Sequence, residues 1–246
     1  MTAPFPTRKQ EEWRYADLAA LQPIWEQFAE PVTLTVAAGE ELEEIWLPAA
    51  DDVQLRRVQL ALGAGAKARI YALNAAPVYG RIELEVSLDE GAEFELFAAN
   101  IGTGLSTNEI VTTLKHLAPS GRSRQIVRSV LNGKATGSYL GRVEVARGAQ
   151  QTDAEQSVKA MLLDRGASAN CKPELEIFAD DVKCAHGATV GELDPAQLFY
   201  AESRGLDPAG ARALLLEGFV MGLWDGASEP DAIREAAREA LRRVVR

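Results

Sequence analysis

Cysteine and long apolar runs are both scarce in this sequence. Only two cysteines, Cys171 and Cys184, occur among 246 residues. A chain of this length can bury a sizeable core without covalent cross-links. The two thiols can still pair by oxidation, but their number favours a reducing compartment over a disulfide-built secreted domain.

No uninterrupted apolar run approaches the length of a membrane span, and the first ten residues lack the apolar core of a signal peptide. We therefore expect a cytoplasmic protein with no membrane partner. Positive charge is also in deficit: the formal net charge is -10 and the sequence pI is about 4.9. Nucleic acid is not an expected partner, because binding phosphates depends on lysine and arginine.

The motifs of several common enzyme classes are missing. A phosphate-binding loop needs Gly-x-x-x-x-Gly-Lys-Ser/Thr, whereas Gly133-Lys134 is followed by Ala135 and lacks the upstream glycine. The sequence also contains no dinucleotide-binding glycine fingerprint after a strand, no His-Glu-x-x-His and no Cys-x-x-Cys pair. These absences remove the usual signals of such enzymes.

Apolar and polar residues alternate over more than half of the chain, which predicts strands with one buried face. The alternating stretches are 32–36, 53–55, 58–62, 68–73, 81–86, 93–97, 109–114 and 142–145. Small-residue turns recur between similar units at Gly65-Ala66, Gly91-Ala92, Gly121-Arg122, Gly148-Ala149 and Gly166-Ala167. Spacings of roughly 20–30 residues favour a solenoid. A β-sandwich stays open, because periodicity alone does not separate the two.

Helical patterns flank this β region. Thr7 and Gln10 form a capping-box pattern before Trp13 and Leu18, which predicts a short N-terminal helix ending by Pro31. Asp194-Pro195 and Asp207-Pro208 each place an acidic N-cap before a proline at the first helical position. A third helix is predicted from Asp231 to Arg246. We expect three parts: an N-terminal helical segment (1–30), a β core (31–193) and a C-terminal helical segment (194–246).

Residues with metal affinity collect around Cys184 and His186, close to Asp180 and Asp181. In an extended strand Cys184 and His186 point to the same face and could bind one soft or borderline metal ion. Two ligands make an incomplete site, and a buried cysteine beside a hydrogen-bonded histidine fits the same spacing. His116 and Cys171 have no neighbouring ligands in the sequence, so we interpret His116 as structural and Cys171 as a buried or incidental thiol.

The C-terminal segment contains more apolar residues than one short helical hairpin can bury against itself. They are Leu198, Phe199, Tyr200, Leu206, Leu214, Leu215, Leu216, Phe219, Val220, Leu223 and Trp224. These residues either pack on the β core or bind a partner, since large exposed apolar patches usually mark interfaces.

Several of these segments together resemble the SufD family. The matching segments are 172–191 (KPELEIFADDVKCAHGATVG), Leu198-Phe199-Tyr200 with Ser203-Arg204-Gly205-Leu206, Thr152 to Ser157, and Glu11 to Leu18. The resemblance implies a right-handed parallel β-helix, mainly β, with a short N-terminal helix and a C-terminal helical segment. It also implies a scaffold subunit of the SUF iron–sulfur cluster assembly complex and not an enzyme.

The resemblance implies two partners, a SufB-like paralogue and a SufC-like ABC ATPase held by the C-terminal helices. His186 would face the SufB-like chain where a transient iron–sulfur cluster forms, with Cys184 as a second candidate ligand, and no cofactor would stay tightly bound to the chain alone. The residues expected to contact the ATPase are Phe199, Tyr200, Arg204, Gly205, Leu206, Leu215 and Phe219.

Two other functions remain open. A homodimeric β-helix adaptor would bind the ATPase without a SufB-like chain, pairing through its own sheet edge. A β-helix hydrolase or lyase acting on polysaccharide would need acidic or basic groups clustered on one solenoid face. Asp180-Asp181 is the acidic pair in a strand-rich stretch that fits this last hypothesis.

Overall fold

The computed structural model describes residues 4–245, and in that range twelve strands form two parallel six-stranded sheets. Sheet A contains β1 (Val32–Val36), β3 (Val53–Leu62), β5 (Tyr79–Leu88), β7 (Thr107–His116), β9 (Thr136–Val145) and β11 (Ser168–Ile177). Sheet B contains β2 (Glu41–Trp46), β4 (Lys67–Asn74), β6 (Glu93–Gly102), β8 (Arg122–Leu131), β10 (Asp153–Leu162) and β12 (Lys183–Gly191).

Successive strands alternate between the two sheets, so each pair of strands forms one coil of a solenoid. Arg69 pairs with Glu95, 26 residues further along, and Thr136 pairs with Ser168, 32 residues further along. Every pairing between these strands is parallel, which a β-sandwich built from antiparallel hairpins would not show. The predicted parallel β-helix is confirmed.

Alternate residues of the strands point into the solenoid and bury its core. Leu84 and Val86 of β5 pack there with Phe94 and Leu96 of β6. Between strands the chain turns sharply at Gly65 and Gly91, whose φ angles are 66° and 64°. This left-handed backbone conformation suits glycine, because it has no Cβ to clash.

The N-terminal segment covers part of the outer surface of sheet A. Its elements are α1 (Leu18–Leu21), α2 (Trp25–Phe28) and 3₁₀ turns at Glu11–Trp13 and Gln22–Ile24. The predicted short helix is confirmed, although Pro23 lies in one of the turns that break the helical stretch into short pieces. Trp13 and Trp25 pack with Leu55 and Tyr79, which holds the segment on the sheet.

Three helices follow the solenoid: α3 (Pro195–Ser203), α4 (Pro208–Val220) and α5 (Asp231–Val245). The predicted caps are present, since the Asp194 side chain accepts from the Ala196 amide at 2.8 Å and Asp207 from the Gly210 amide at 2.8 Å. Arg246, the predicted last residue of the third helix, lies outside the described residues.

α4 and α5 pack on the outer face of sheet B. Leu216 and Trp224 are buried there against Tyr71 and Ile101. The Asn132 side chain donates to the carbonyl oxygen of Val244 at 2.7 Å, which ties the end of α5 to the solenoid. Within residues 4–245, none of the helices is both long and apolar enough to cross a bilayer.

Candidate functional site

The last coil of the solenoid consists of β11 and β12, and we call it the terminal coil. β11 ends sheet A and β12 ends sheet B, so among residues 4–245 no further strand covers either one. Nearly all of β12 is exposed. The terminal coil therefore presents both the edges of the sheets and the end of the solenoid interior to the surroundings.

Cys184 and His186 lie two residues apart on β12 and share one face, as the sequence predicted. Cys184 packs against the interior core, so this face points into the solenoid. The register neighbours of the two residues on β10 are Ala154 and Gln156, and both are buried. His186 itself is exposed because β12 is the edge strand.

Cys171 joins these residues at the terminal coil, which the sequence did not predict. It is partly buried against the interior core on β11, next to Tyr139 of β9. The Tyr139 hydroxyl accepts from Gln156 Nε2 at 3.0 Å across the interior. Because Cys171 follows Tyr139 in register and His186 follows Gln156, Cys171 lies on the strand opposite His186. Cys171 follows Tyr139 by 32 residues, and the same coil length separates Thr136 from Ser168. This spacing was the sequence signal that could have placed Cys171 on the terminal coil.

The interior of the coil beneath His186 contains several polar side chains. Tyr139, Gln125 and Gln156 are all buried. Gln125 Oε1 accepts from the Thr112 hydroxyl at 2.7 Å and from the Tyr139 hydroxyl at 3.1 Å. Gln156 Oε1 and Gln125 Nε2 are buried without a hydrogen-bond partner among the described residues. This chain of amides and hydroxyls leads through the core toward His186.

Burial governs the chemistry of both thiols. Burial raises the pKa of the Cys171 thiol. It also raises the pKa of the Cys184 thiol, although a hydrogen bond with the Ala154 backbone lowers that pKa in part. Both thiols are therefore protonated at neutral pH, and a metal ion would have to displace their protons. No group of three or more His, Cys, Asp or Glu residues that could hold a metal ion occurs in the described part of the chain.

His116 lies elsewhere, fully buried at the end of β7. One ring nitrogen, Nε2, is 2.9 Å from the Ser123 hydroxyl oxygen. Burial lowers the pKa of His116 to about 4, so its imidazole is neutral at physiological pH. This environment agrees with the structural role expected from the sequence.

Asp180 and Asp181 lie in the exposed turn between β11 and β12. The Asp181 amide donates to Gln150 Oε1 at 2.9 Å, which ties the turn to the preceding coil. The pair therefore does not lie on a solenoid face, where a polysaccharide-cleaving site would need it.

The C-terminal helices divide their apolar residues between two surfaces. Leu216 and Val220 are buried against sheet B, and Phe219 is partly buried there beneath Arg128. In contrast, Phe199 is 73% exposed and Tyr200 is 61% exposed. Further exposed residues predicted to contact the ATPase are Arg204, Gly205 and Leu206, whereas Leu215 is partly buried. Part of the apolar excess thus packs on the β core, as one interpretation predicted, and another part stays exposed.

Comparison with known proteins identifies a family. Residues 36–219 match the family model described as SUF system FeS cluster assembly, SufBD core domain. An iron–sulfur cluster assembly SufBD family protein of Synechocystis is 32% identical over 176 residues, covering 71% of this chain and 39% of the relative.

Two relatives are named iron–sulfur cluster assembly protein SufD. The protein from Escherichia coli is 37% identical over 119 residues, which cover 47% of this chain and 28% of the relative. The protein from Bacillus subtilis is 31% identical over 120 residues, which cover 49% of this chain and 28% of the relative. The matched segments thus span well under half the length of these relatives. Because the family model covers most of the chain and includes both the solenoid and the terminal coil, this chain belongs to the SufBD family of the SUF iron–sulfur cluster assembly system.

Proposed function

We propose that this chain is a non-catalytic scaffold subunit of a cytoplasmic SUF assembly complex. It pairs with a SufB-like paralogue at the terminal coil and holds a SufC-like ABC ATPase on its C-terminal helices. His186 is one ligand of the nascent iron–sulfur cluster, which is the cargo of the complex. The observation that carries this proposal is the position of His186 on the inward face of an uncovered edge strand.

The chemistry of the terminal coil supports pairing with a second chain. Edge strands present unpaired backbone N–H and C=O groups, which are a ready template for another chain. Imidazole and thiolate ligands suit iron and iron–sulfur clusters. Cys184 and His186 of this chain form an incomplete ligand set, so the remaining ligands come from the SufB-like partner.

The exposed part of α3 supports the second interaction. The side chains of Phe199 and Tyr200 are exposed to solvent, although burying a large aromatic side chain is strongly stabilising. Leu206 extends the same apolar surface beyond the end of the helix. α4 continues from this surface into the packed core of sheet B. ATP-driven motion of the bound ATPase would therefore reach the solenoid and change the cluster site between two states.

One set of purifications tests both interactions. The tagged chain is co-expressed with the SufB-like and SufC-like proteins of its own organism, and co-purifying proteins and assembled cluster are quantified. Phe199→Asp should remove the ATPase by burying an unpaired charge in that interface, and it should leave the SufB-like chain bound. His186→Ala should keep both partners but reduce cluster assembly at least tenfold, because one ligand is lost.

Matched substitutions control for general damage. Leu105→Asp places the same charge at an exposed apolar residue of a solenoid turn, and Thr189→Ala truncates an outward side chain of β12. Both should leave binding and cluster assembly unchanged. Normal cluster assembly with His186→Ala would refute the ligand role. Stable capture of the ATPase by a homodimer of this chain, without a SufB-like protein, would instead favour the adaptor hypothesis.

A further inference from the structure

Gln156, the register partner of His186, has a buried side-chain oxygen with no hydrogen-bond donor among residues 4–245. We propose that Gln156 is a positioning residue for His186: its Oε1 accepts a hydrogen bond from one imidazole N–H and so presents the other ring nitrogen to the cluster. This inference rests on the proposed function for its purpose. The hydrogen bond itself can be tested on the isolated chain.

The hydrogen bonds in the interior set the orientation of the Gln156 amide. The Tyr139 hydroxyl has a single proton, which it donates to Gln125 Oε1 at 3.1 Å. The hydroxyl oxygen must therefore accept from Gln156, whose Nε2 lies 3.0 Å away. The Gln156 amide nitrogen is thus used as a donor to Tyr139, and Oε1 is the side-chain atom of Gln156 that has no partner. Gln156 is only 1% exposed, and leaving a buried acceptor unpaired is costly.

The register brings His186 beside Gln156. Gln156 and His186 are directly paired positions of the parallel strands β10 and β12, so their side chains leave the sheet on the same inward face. The His186 side chain makes no hydrogen bond to the described residues, and it lies on the exposed edge strand. Rotation of its side chain toward Gln156 therefore breaks no hydrogen bond of the ring.

The rival donor is Gln125 Nε2, which is also buried and unpaired. Gln125 is the register neighbour of Gln156 on the opposite side, in β8, but the two amides are not hydrogen-bonded to each other. If a small shift joins them, Gln156 has no effect on His186. The two alternatives therefore predict different behaviour of the His186 ring.

A histidine that donates from one nitrogen and binds metal through the other is a common arrangement at metal sites. The hydrogen bond fixes the tautomer and the ring orientation, and loss of such a partner typically costs 10–100-fold in metal affinity or activity. Gln156 would thus act on the cluster only through His186. It is a positioning residue and not a ligand.

Nitrogen-15 NMR of the isolated, histidine-labelled chain tests the hydrogen bond. The sequence contains only His116 and His186, so two imidazoles are observed and His116 is an internal reference. At a pH where both rings are neutral, wild-type His186 should populate one tautomer predominantly. Gln156→Leu should give the tautomer mixture of a free, water-exposed imidazole, whereas the isosteric Gln156→Glu should keep the single tautomer.

The control and the contrary result are both specific. Ser123→Ala removes the partner of His116 and should change only the His116 signals. Identical His186 tautomer populations in the wild type and Gln156→Leu would overturn the inference, and they would leave the scaffold proposal untouched. In the assembled complex, Gln156→Leu should slow cluster assembly about 10–100-fold with both partners bound, and Gln156→Glu should restore most of the rate.

Discussion

Arg81 lies at the centre of the most deeply buried group of charged residues in the described part of the chain. Its guanidinium lies 2.9 Å from Glu83, 3.3 Å from Glu109 and 3.7 Å from the centre of the Trp13 ring. Burial raises the pKa of Glu109, and the ion pair with Arg81 opposes that shift. The arginine therefore neutralises Glu109 inside the fold and anchors the N-terminal segment on sheet A.

We expect Arg81→Met to lower the free energy of unfolding by about 3–5 kcal/mol, since it leaves the Glu109 carboxylate buried and unpaired. Urea unfolding monitored by circular dichroism measures the loss. The double variant Arg81→Met with Glu109→Gln should recover part of it, because the uncompensated charge is gone. Arg69→Met, which removes a solvent-accessible ion pair with Glu95, should cost less than about 1 kcal/mol. Equal losses at both arginines would contradict this account.

Some of the candidate site could be predicted from residues alone. Because side chains alternate along a strand, the shared face of Cys184 and His186 followed directly from their spacing. Cys171 and Gln156 could not be assigned in this way. Their relation to His186 depends on coil lengths and strand register, which bring residues 15 and 30 positions away to the same coil end. Only the folded solenoid specifies that register.

At the scale of strands, charges on the outer face of sheet B alternate in sign from one strand to the next. One row of register partners is Glu41, Lys67, Glu93, Arg122, Asp153 and Lys183, and a second is Glu43, Arg69, Glu95, Arg124 and Glu155. Arg69 lies 2.7 Å from Glu95, and Arg124 lies 3.4 Å from Glu155. Parallel strands place identical positions side by side, so alternation avoids repulsion along the whole sheet.

Reversing one charge tests this pattern. Arg69→Glu would place three carboxylates in succession, and we expect it to lower the free energy of unfolding by about 1 kcal/mol in low salt. Arg69→Gln should cost less than half of that. Arg147→Glu makes the same charge change in an exposed turn outside both rows, so it should be nearly neutral. High salt should shrink the Arg69→Glu effect by screening, and a loss unaffected by salt would argue against a charge origin.

Alternation in the sequence predicted β5, whose inward positions are apolar, but not β8, whose inward positions are partly polar. Ile82, Leu84 and Val86 of β5 point into the core, and their pattern predicted that strand. In β8 the inward positions include Gln125 and Ser129, while Ile126 faces the C-terminal helices. The usual polarity of the two faces is thus reversed over part of β8. No alternating apolar stretch marked this strand, although the turn at Gly121 preceded it.

On the scale of the whole molecule, a solenoid is stabilised mainly by contacts between neighbouring coils. Strands in the middle of each sheet have two neighbours, whereas β12 has only β10. The N-terminal segment and the helices α4 and α5 protect the outer faces of other strands but leave β12 largely exposed within residues 4–245. The terminal coil, which contains His186, is thus one of the two ends of the solenoid at which the strands lack a second neighbour.

Hydrogen exchange should reveal how the stability of β12 compares with that of the middle strands, and how each partner changes it. In the isolated chain we expect backbone amides of β12 to exchange much faster than those of β6 and β8, because an edge strand opens without disrupting the remaining coils. Adding the SufB-like partner should slow exchange in β12 and β11 and leave α3 unchanged. Adding the ATPase should slow exchange in α3 around Phe199 and Tyr200 and leave β11 and β12 unchanged. Protection of β6 and β12 to the same degree in the free chain would mean that the terminal coil is already stable alone, and pairing at that end would then need a different basis.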